Sequence, residues 1–335
     1  MTALTMPARP ERDAGLRPVP WRRMAWVTWR QHRAALGGVA ALLGALTVSL
    51  WLTGLQIHHS YATACHPASS LACNMNFDGR YAMTVNVVRV FLQAVPALIG
   101  AFAGAPVLAR EMETGTFRFA WTQGFGRGRW ALAKLALLAV VLAAAAGAFT
   151  VLFSWYASLF FAAGYAIPFA TDLFNELGVA FAAWTLAAFA IGALAGLLIR
   201  RVVPAIAATL AVYTGLALAA GLYLRQRYAV PLLTSNPNVP SSAWIMSQWW
   251  TKGGRFAFAG RPPDSLLMQL CAPQGPGKAQ GTIAQCLAQH GYTQWTSYQP
   301  ISRFWAFQWI EAGWLIGLSV LLIAATVWLV RRRAA

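Results

Sequence analysis

Two gatherings of reactive side chains and one lone carboxylate stand out in a chain that is otherwise short of them. REMETGTFRFAWTQ (110–123) sets Glu111 and Glu113 beside Arg110 and Arg118, although only 10% of the chain is charged. His58, His59 and His66 lie near Cys65 and Cys73, and Glu311 stands alone in an apolar run. Paired carboxylates can divide general acid and base work, and a His/Cys group can hold zinc. Neither chemistry fits here. The His/Cys spacing matches no standard zinc pattern, and none of the nine acidic residues forms a paired-carboxylate constellation. G-x-S-x-G and H-E-x-x-H are absent. GPGKAQ (275–280) lacks the first glycine of a phosphate loop and has Ala279 where Ser or Thr is needed. No metal, no cofactor and no catalytic residue is assigned, and the chain is not expected to be an enzyme by itself.

The elements that must position these residues are apolar. The 335 residues are 58% hydrophobic, with a mean hydropathy of +0.52, whereas a soluble domain carries about a quarter charged residues. A membrane helix needs roughly 20 apolar residues, and six windows qualify: 34–55, 90–109, 135–171, 177–199, 202–224 and 304–330. The third is too long for one span and is read as a helix plus a short outer element near 164–168. The expected fold is an all-α polytopic membrane protein of six spans.

Charge orients it. Of the 26 Lys and Arg, seven lie in 1–33, five in 109–134, two at 200–201 and three in 331–333. Six spans put all four groups on one side, and the positive-inside rule makes that side cytoplasmic. Both termini are then inside. The net charge of +17 is topological and faces lipid headgroups, so no nucleic-acid partner is expected. Residues 1–19 are polar, read as a disordered cytoplasmic tail and not as a cleavable leader. Residues 20–33, with Trp21, Trp26, Trp29 and four arginines, suit an interfacial helix or a basic stop before the first span. Alanine richness and 23 Arg against three Lys suggest a GC-rich bacterial genome and hence a bacterial plasma membrane.

Cys65 and Cys73 fall in the outer loop 56–83, and Cys271 and Cys286 in the outer segment 225–303. Disulfides persist outside the cell, so all four are expected oxidised. Local pairing is the simplest of three connectivities, and a cross-loop arrangement stays open. The segment 225–303 has the size of a small cap. Its tryptophans suit the membrane interface or an amphipathic ligand. Small residues in IGALAGLL, Gly192 and Gly196 among them, suit close helix packing or an ordinary alanine-rich span.

The opening stretch follows the second span and is therefore cytoplasmic. Thr114 and Gly115 are read as a turn and cap after the glutamates, and Phe117 and Trp121 sit at i and i+4 on a short surface helix. Positive-inside accounts for the arginines but not for two glutamates and exposed aromatics. REMETGTFRFAWTQGFGRGRWALAKL (110–135) resembles the cytoplasmic loop of type-2 ABC exporter permeases, especially actinobacterial ones. There an E-x-E-x-G-T run leads into a coupling helix that rests on the ATP-binding subunit. Glu111, Glu113, Gly115, Thr116, Arg129 and Lys134 match. A second stretch, YQPISRFWAFQWIEAGW (298–314), resembles the entry to the last span. The resemblance implies a permease subunit that forms a translocation pathway as a dimer, a homodimer by the simplest reading. A separate ATPase subunit would carry ATP and magnesium. It places Glu111, Glu113, Thr114, Gly115, Thr116, Phe117, Arg118, Trp121 and Arg129 at the ATPase contact. A polytopic membrane enzyme or a non-transporting scaffold or sensor is the alternative.

Glu311 lies about 10 Å inside the outer edge of the last span at the helical rise. A carboxylate at that depth faces the bundle interior with a partner. Arg89, at the outer lip of the second span, is the expected one. Arg303 can snorkel outward instead, and Gln308 is placed to complete the hydrogen bonds.

Overall fold

The structure is a computed structural model, and it describes residues 21–64, 83, 87–88, 90–115, 127–162, 166–271 and 283–332. Six helices are long and apolar enough to cross a membrane. They are α1 (Trp21–Ala64), α2 (Val90–Thr114), α3 (Arg127–Ala162), α5 (Ala180–Ile199), α6 (Val202–Ala219) and α9 (Phe304–Arg332). Short turns continue α6 to Arg227. A four-residue helix, α4 (Thr171–Phe174), sits between α3 and α5. It extends the outer element expected near 164–168, of which 164–165 lie outside the described residues.

Residues 21–33 do not form a separate interfacial helix but run without a break into the first span. No proline follows Pro20 until Pro67, and the glycines within cost a helix only about 1 kcal/mol each. At 1.5 Å per residue the 44 residues of α1 reach about 66 Å, twice the hydrocarbon thickness. Its ends therefore project into both aqueous phases, and residues 56–64 of the expected outer loop are its last turns. Near its inner end Arg30 lies over the exposed Trp26 ring.

Helix α2 carries a π-helical turn at Gly100–Gly104, followed by Pro106. Proline has no N–H to donate and crowds the preceding turn, and widening that turn lets the helix pass it. So Pro106 does not end the span. The helix runs on to Thr114, where Gly115 closes it in the left-handed region at φ 69°. Glu111 and Glu113 thus belong to the last turn of a membrane helix, and the inner loop proper is shorter than 109–134.

Helix α5 is the hub, packed by α2, α3, α6 and α9. Its contact with α2 is backbone to backbone. A Cβ added at Gly192 would lie 2.3 Å from the Gly100 carbonyl oxygen, and one at Gly196 would lie 2.3 Å from that of Ala105. Small residues let membrane helices approach this closely and gain dispersion contacts that lipid would otherwise supply. At the inner end, Arg200 at φ 60° and Arg201 join α5 to α6 in a tight corner. Arg110, Arg129, Arg200, Arg201, Arg331 and Arg332 mark this end as cytoplasmic by the positive-inside rule.

The opposite end carries a four-stranded antiparallel sheet in the order β1 (Leu232–Thr234), β4 (Tyr292–Gln299), β2 (Trp244–Lys252), β3 (Arg255–Ala259). These strands depart from the all-α expectation for the cap. WIMSQWWTK and YTQWTSYQ have the aromatic and β-branched content of strands, and Gly253 and Gly254, both at positive φ, supply the two-residue hairpin turn. Two short helices, α7 (Asp264–Cys271) and α8 (Ile283–Gln289), complete the cap.

Candidate functional sites at the inner loop and in the outer bundle

Residues two apart on a helix point about 200° from each other, so Glu111 and Glu113 address different neighbours. Glu111 turns toward α3, where its Oε1 accepts from Lys134 Nζ at 2.5 Å. The lysine is buried, donates also to the Val107 carbonyl at 3.3 Å, and lies over the Trp130 ring. Glu113 turns toward α6 and accepts the Val202 backbone N–H at 3.3 Å. That amide is one of the first in its helix, without an intrahelical acceptor, and the helix dipole favours a carboxylate there. Thr114 donates its hydroxyl to the Arg110 carbonyl. The two roots of the inner loop, 23 residues apart, are therefore pinned together by Glu111–Lys134, and the first root is tied to the corner between α5 and α6.

Glu111 was expected among the partner contacts, but it is turned inward and only 14% exposed. Glu113, Thr114 and Arg129 are exposed at this end. Thr116, Phe117, Arg118 and Trp121 lie outside the described residues.

In the outer half of the bundle Glu311 is fully buried and paired with Arg225. Arg225 Nε donates to Glu311 Oε2 at 3.0 Å and Nη2 to Oε1 at 2.7 Å, a bidentate fork. Nη2 reaches Asn175 Oδ1 at 2.5 Å, and the guanidinium lies 4.0 Å from the Phe174 ring centroid. Trp184 Nε1 donates to Glu311 Oε1, and the Tyr228 hydroxyl donates to Oε2 while accepting from Trp314 Nε1. Burial and the adjacent Glu311 carboxylate push the Tyr228 hydroxyl above the ordinary phenol range, which keeps it a donor.

Arg225 was not foreseen as a partner of Glu311 because hydropathy placed it in the outer cap, one residue beyond the apolar run. The π turn Ala220–Leu224 and the following 3-10 turn carry it back over the bundle. Arg89 lies outside the described residues. The sign available in the sequence was an arginine closing the fifth apolar run on the outer side, at a depth comparable with Glu311. Asn175, Trp184 and Tyr228 had no such sign. Gln308 serves a different purpose from the one expected: its amide donates to the Phe174 carbonyl and accepts from Ala180 N–H, fixing the outer element to α5. Arg303 does reach outward, donating to the Val230 carbonyl and Gln299 Oε1.

Cys271 and Cys286 form a disulfide between α7 and α8. Cys65, Cys73 and His66 lie outside the described residues, while His58 stacks on Trp155 at 4.8 Å. Among the described residues, no three His, Cys, Asp or Glu side chains gather as a metal site would require.

Six spans packed on a glycine-lined hub, a clamped inner loop and an ion pair held inside the bundle define a polytopic membrane protein. The chain belongs to the ABC-2 membrane transporter related family, whose model matches residues 40–225, more than half of the chain. No curated protein and no solved structure matches. The matched region runs from the first span to Arg225, so it takes in the inner loop and leaves out the sheet. The protein is thus a membrane component of the ABC transporter type, multi-pass in the plasma membrane.

Proposed function

We propose that this chain is the permease subunit of an ATP-driven exporter. It works as a pair of identical copies and is driven by a separate ATPase that binds ATP and magnesium. The observation that carries this is the Glu111–Lys134 clamp. A displacement applied to residues 115–127 cannot move α2 without α3, because a buried ion pair resists being split by about 3–5 kcal/mol. The Glu113–Val202 hydrogen bond passes part of the same displacement to α6. An ATPase that pulls on the loop would therefore rock a group of spans as one body, the kind of rigid movement that opens a pathway on one side and closes it on the other. The chain supplies two arrangements of its helices, and the partner's nucleotide state selects between them.

Thr116, Phe117, Arg118 and Trp121, with the exposed Glu113, Thr114 and Arg129 and the hinge at Gly115, would form the contact. Reconstitution in vesicles with the cognate ATPase tests the reading. Lys134→Met should keep the ATPase bound and hydrolysing while transport falls at least about tenfold, since the loop then moves without its spans. Unchanged transport by folded Lys134→Met protein would reject the clamp as the coupling element.

A further inference from the structure

The cap joins the bundle at a corner that the described residues leave bare. Val230 is 83% exposed and Leu233 61%, and Leu232, Ile245 and Ile301 are exposed too. These residues are neighbours. Leu232 and Ile245 pair with Tyr298 from either side, so the three lie in a row on one face of the sheet. The carbonyls of Ala229 and Val230 accept from Gln299 Nε2 and Arg303 Nη1, and those two residues bracket Ile301. A single exposed apolar residue is ordinary on a protein surface, whereas a contiguous patch marks an interaction surface. An edge strand in water is normally guarded by charged side chains, and β1, with Leu232, Leu233 and Thr234, has none.

Position and charge choose the occupant. The patch continues an exposed side of a membrane span. Ile301 stands one turn before Trp305, and Trp305, Trp309, Ile316 and Val320, spaced by four, seven and four residues, are exposed along that side of α9. Tryptophans at the end of a span mark the headgroup level, so the corner lies at that level or just outside it. Residues 225–263 include no Asp or Glu, so no carboxylate of this segment is brought against phosphate heads, and Arg227 is exposed to meet them. A protein partner fits less well. The three residues of β1 offer few main-chain groups for a partner strand to pair with, and the patch has no charge pattern to fix a partner's orientation. We propose that this corner of the cap sits in the outer leaflet of the membrane, with Val230, Leu232 and Leu233 at the boundary between phospholipid headgroups and acyl chains. Tyr228, two residues before Val230, bonds to Glu311, so the bundle itself fixes the depth of the corner.

The test uses the full chain in lipid nanodiscs and needs neither nucleotide nor ATPase. A phosphatidylcholine with a diazirine at the start of one acyl chain labels groups at the boundary. Hydroxyl radicals made in the water label what water reaches, and mass spectrometry reads both. Val230, Leu232 and Leu233 should take up the lipid label as Trp305 does. Phe256, exposed on the opposite edge of the sheet, should take none. Corrected for intrinsic reactivity, the three corner residues should be oxidised about tenfold more slowly than Phe256, the population ratio that apolar burial of one such side chain sustains. Val230→Asn/Leu233→Asn should lose most of the lipid adducts at the corner while those on Trp305 and Trp309 persist, which separates withdrawal of the corner from failure to insert. Oxidation of Val230 and Leu233 at the corrected rate of Phe256 would place the corner in water and overturn the proposal. So would lipid adducts undiminished in the double variant. Protection from radicals without lipid adducts would overturn it as well, because a second copy or another protein would then cover the patch.

Discussion

Removing the Glu311 carboxylate strands the Arg225 guanidinium, which is fully buried and forked onto it. Breaking a buried pair from one side costs about 3–5 kcal/mol, whereas replacing both members with apolar groups can be nearly neutral. Glu311→Leu and Arg225→Met should therefore each lower thermal stability in detergent severely, and Arg225→Met/Glu311→Leu should recover most of the loss. Additive losses in that double-mutant cycle would show the two side chains to be independent. At the inner loop, Glu111→Gln leaves Lys134 buried with a weaker acceptor and should destabilise the protein, whereas the exposed Glu113→Gln keeps an acceptor for Val202 N–H and should change stability by less than about 1 kcal/mol. Equal losses would contradict the division of the two glutamates between neighbours. Single residues were the hardest part to read from the sequence. That Glu311 needs a partner follows from its depth. Which arginine supplies it depends on how two irregular turns fold Arg225 back, and no hydropathy window records that.

Helix α2 shows what whole elements add. Its π turn inserts one residue, and the inner end is rotated by about 100° relative to a regular helix. Deleting Phe102, which is exposed within that turn, should restore regular helix and swing Glu111 away from Lys134. The protein should still insert, but ATP hydrolysis should no longer drive transport. Transport at the native rate would mean that the turn has no part in facing the glutamates. At the crossing with α5, Gly192→Ala puts a methyl group 2.3 Å from the Gly100 carbonyl oxygen, and the backbones must part. Overpacking of this kind costs about 1–3 kcal/mol, whereas Gly215→Ala on α6, with open space around it, should be neutral in the same melting experiment. The six spans were legible because apolar length is a strong signal. The continuity of α1 was not, because a change in composition at residue 33 marks where lipid begins and does not stop a helix. The cap's strands were overlooked although the Gly253–Gly254 turn between two aromatic runs signals a hairpin.

At the scale of the molecule, the outer sheet and the inner loop lie at opposite ends of one bundle. Phe169 of the outer element stacks on Trp244 of β2 and packs edge-on against Phe304 and Phe307 of α9, so the cap rests on the elements that hold the Arg225–Glu311 pair. The Cys271–Cys286 bond closes a 15-residue separation, worth about 3 kcal/mol to the folded cap on the chain-entropy account. Cys271→Ser/Cys286→Ser should make the cap more sensitive to protease while leaving spans and partner binding intact. An unchanged digestion pattern would show the bond to be dispensable. The membership of the inner loop in a membrane-transporter family was legible through its motif, yet that Glu111 turns inward to Lys134 while Glu113 stays exposed was not, because only side-chain directions separate the two. Co-purification of an ATPase with the tagged full chain tests the functional reading most directly. The native chain should bring down the ATPase in stoichiometric amount, and Phe117→Ala/Trp121→Ala, with all six spans inserted, should lose it. An ATPase that never accompanies the native chain, or that binds the double variant undiminished, would contradict it.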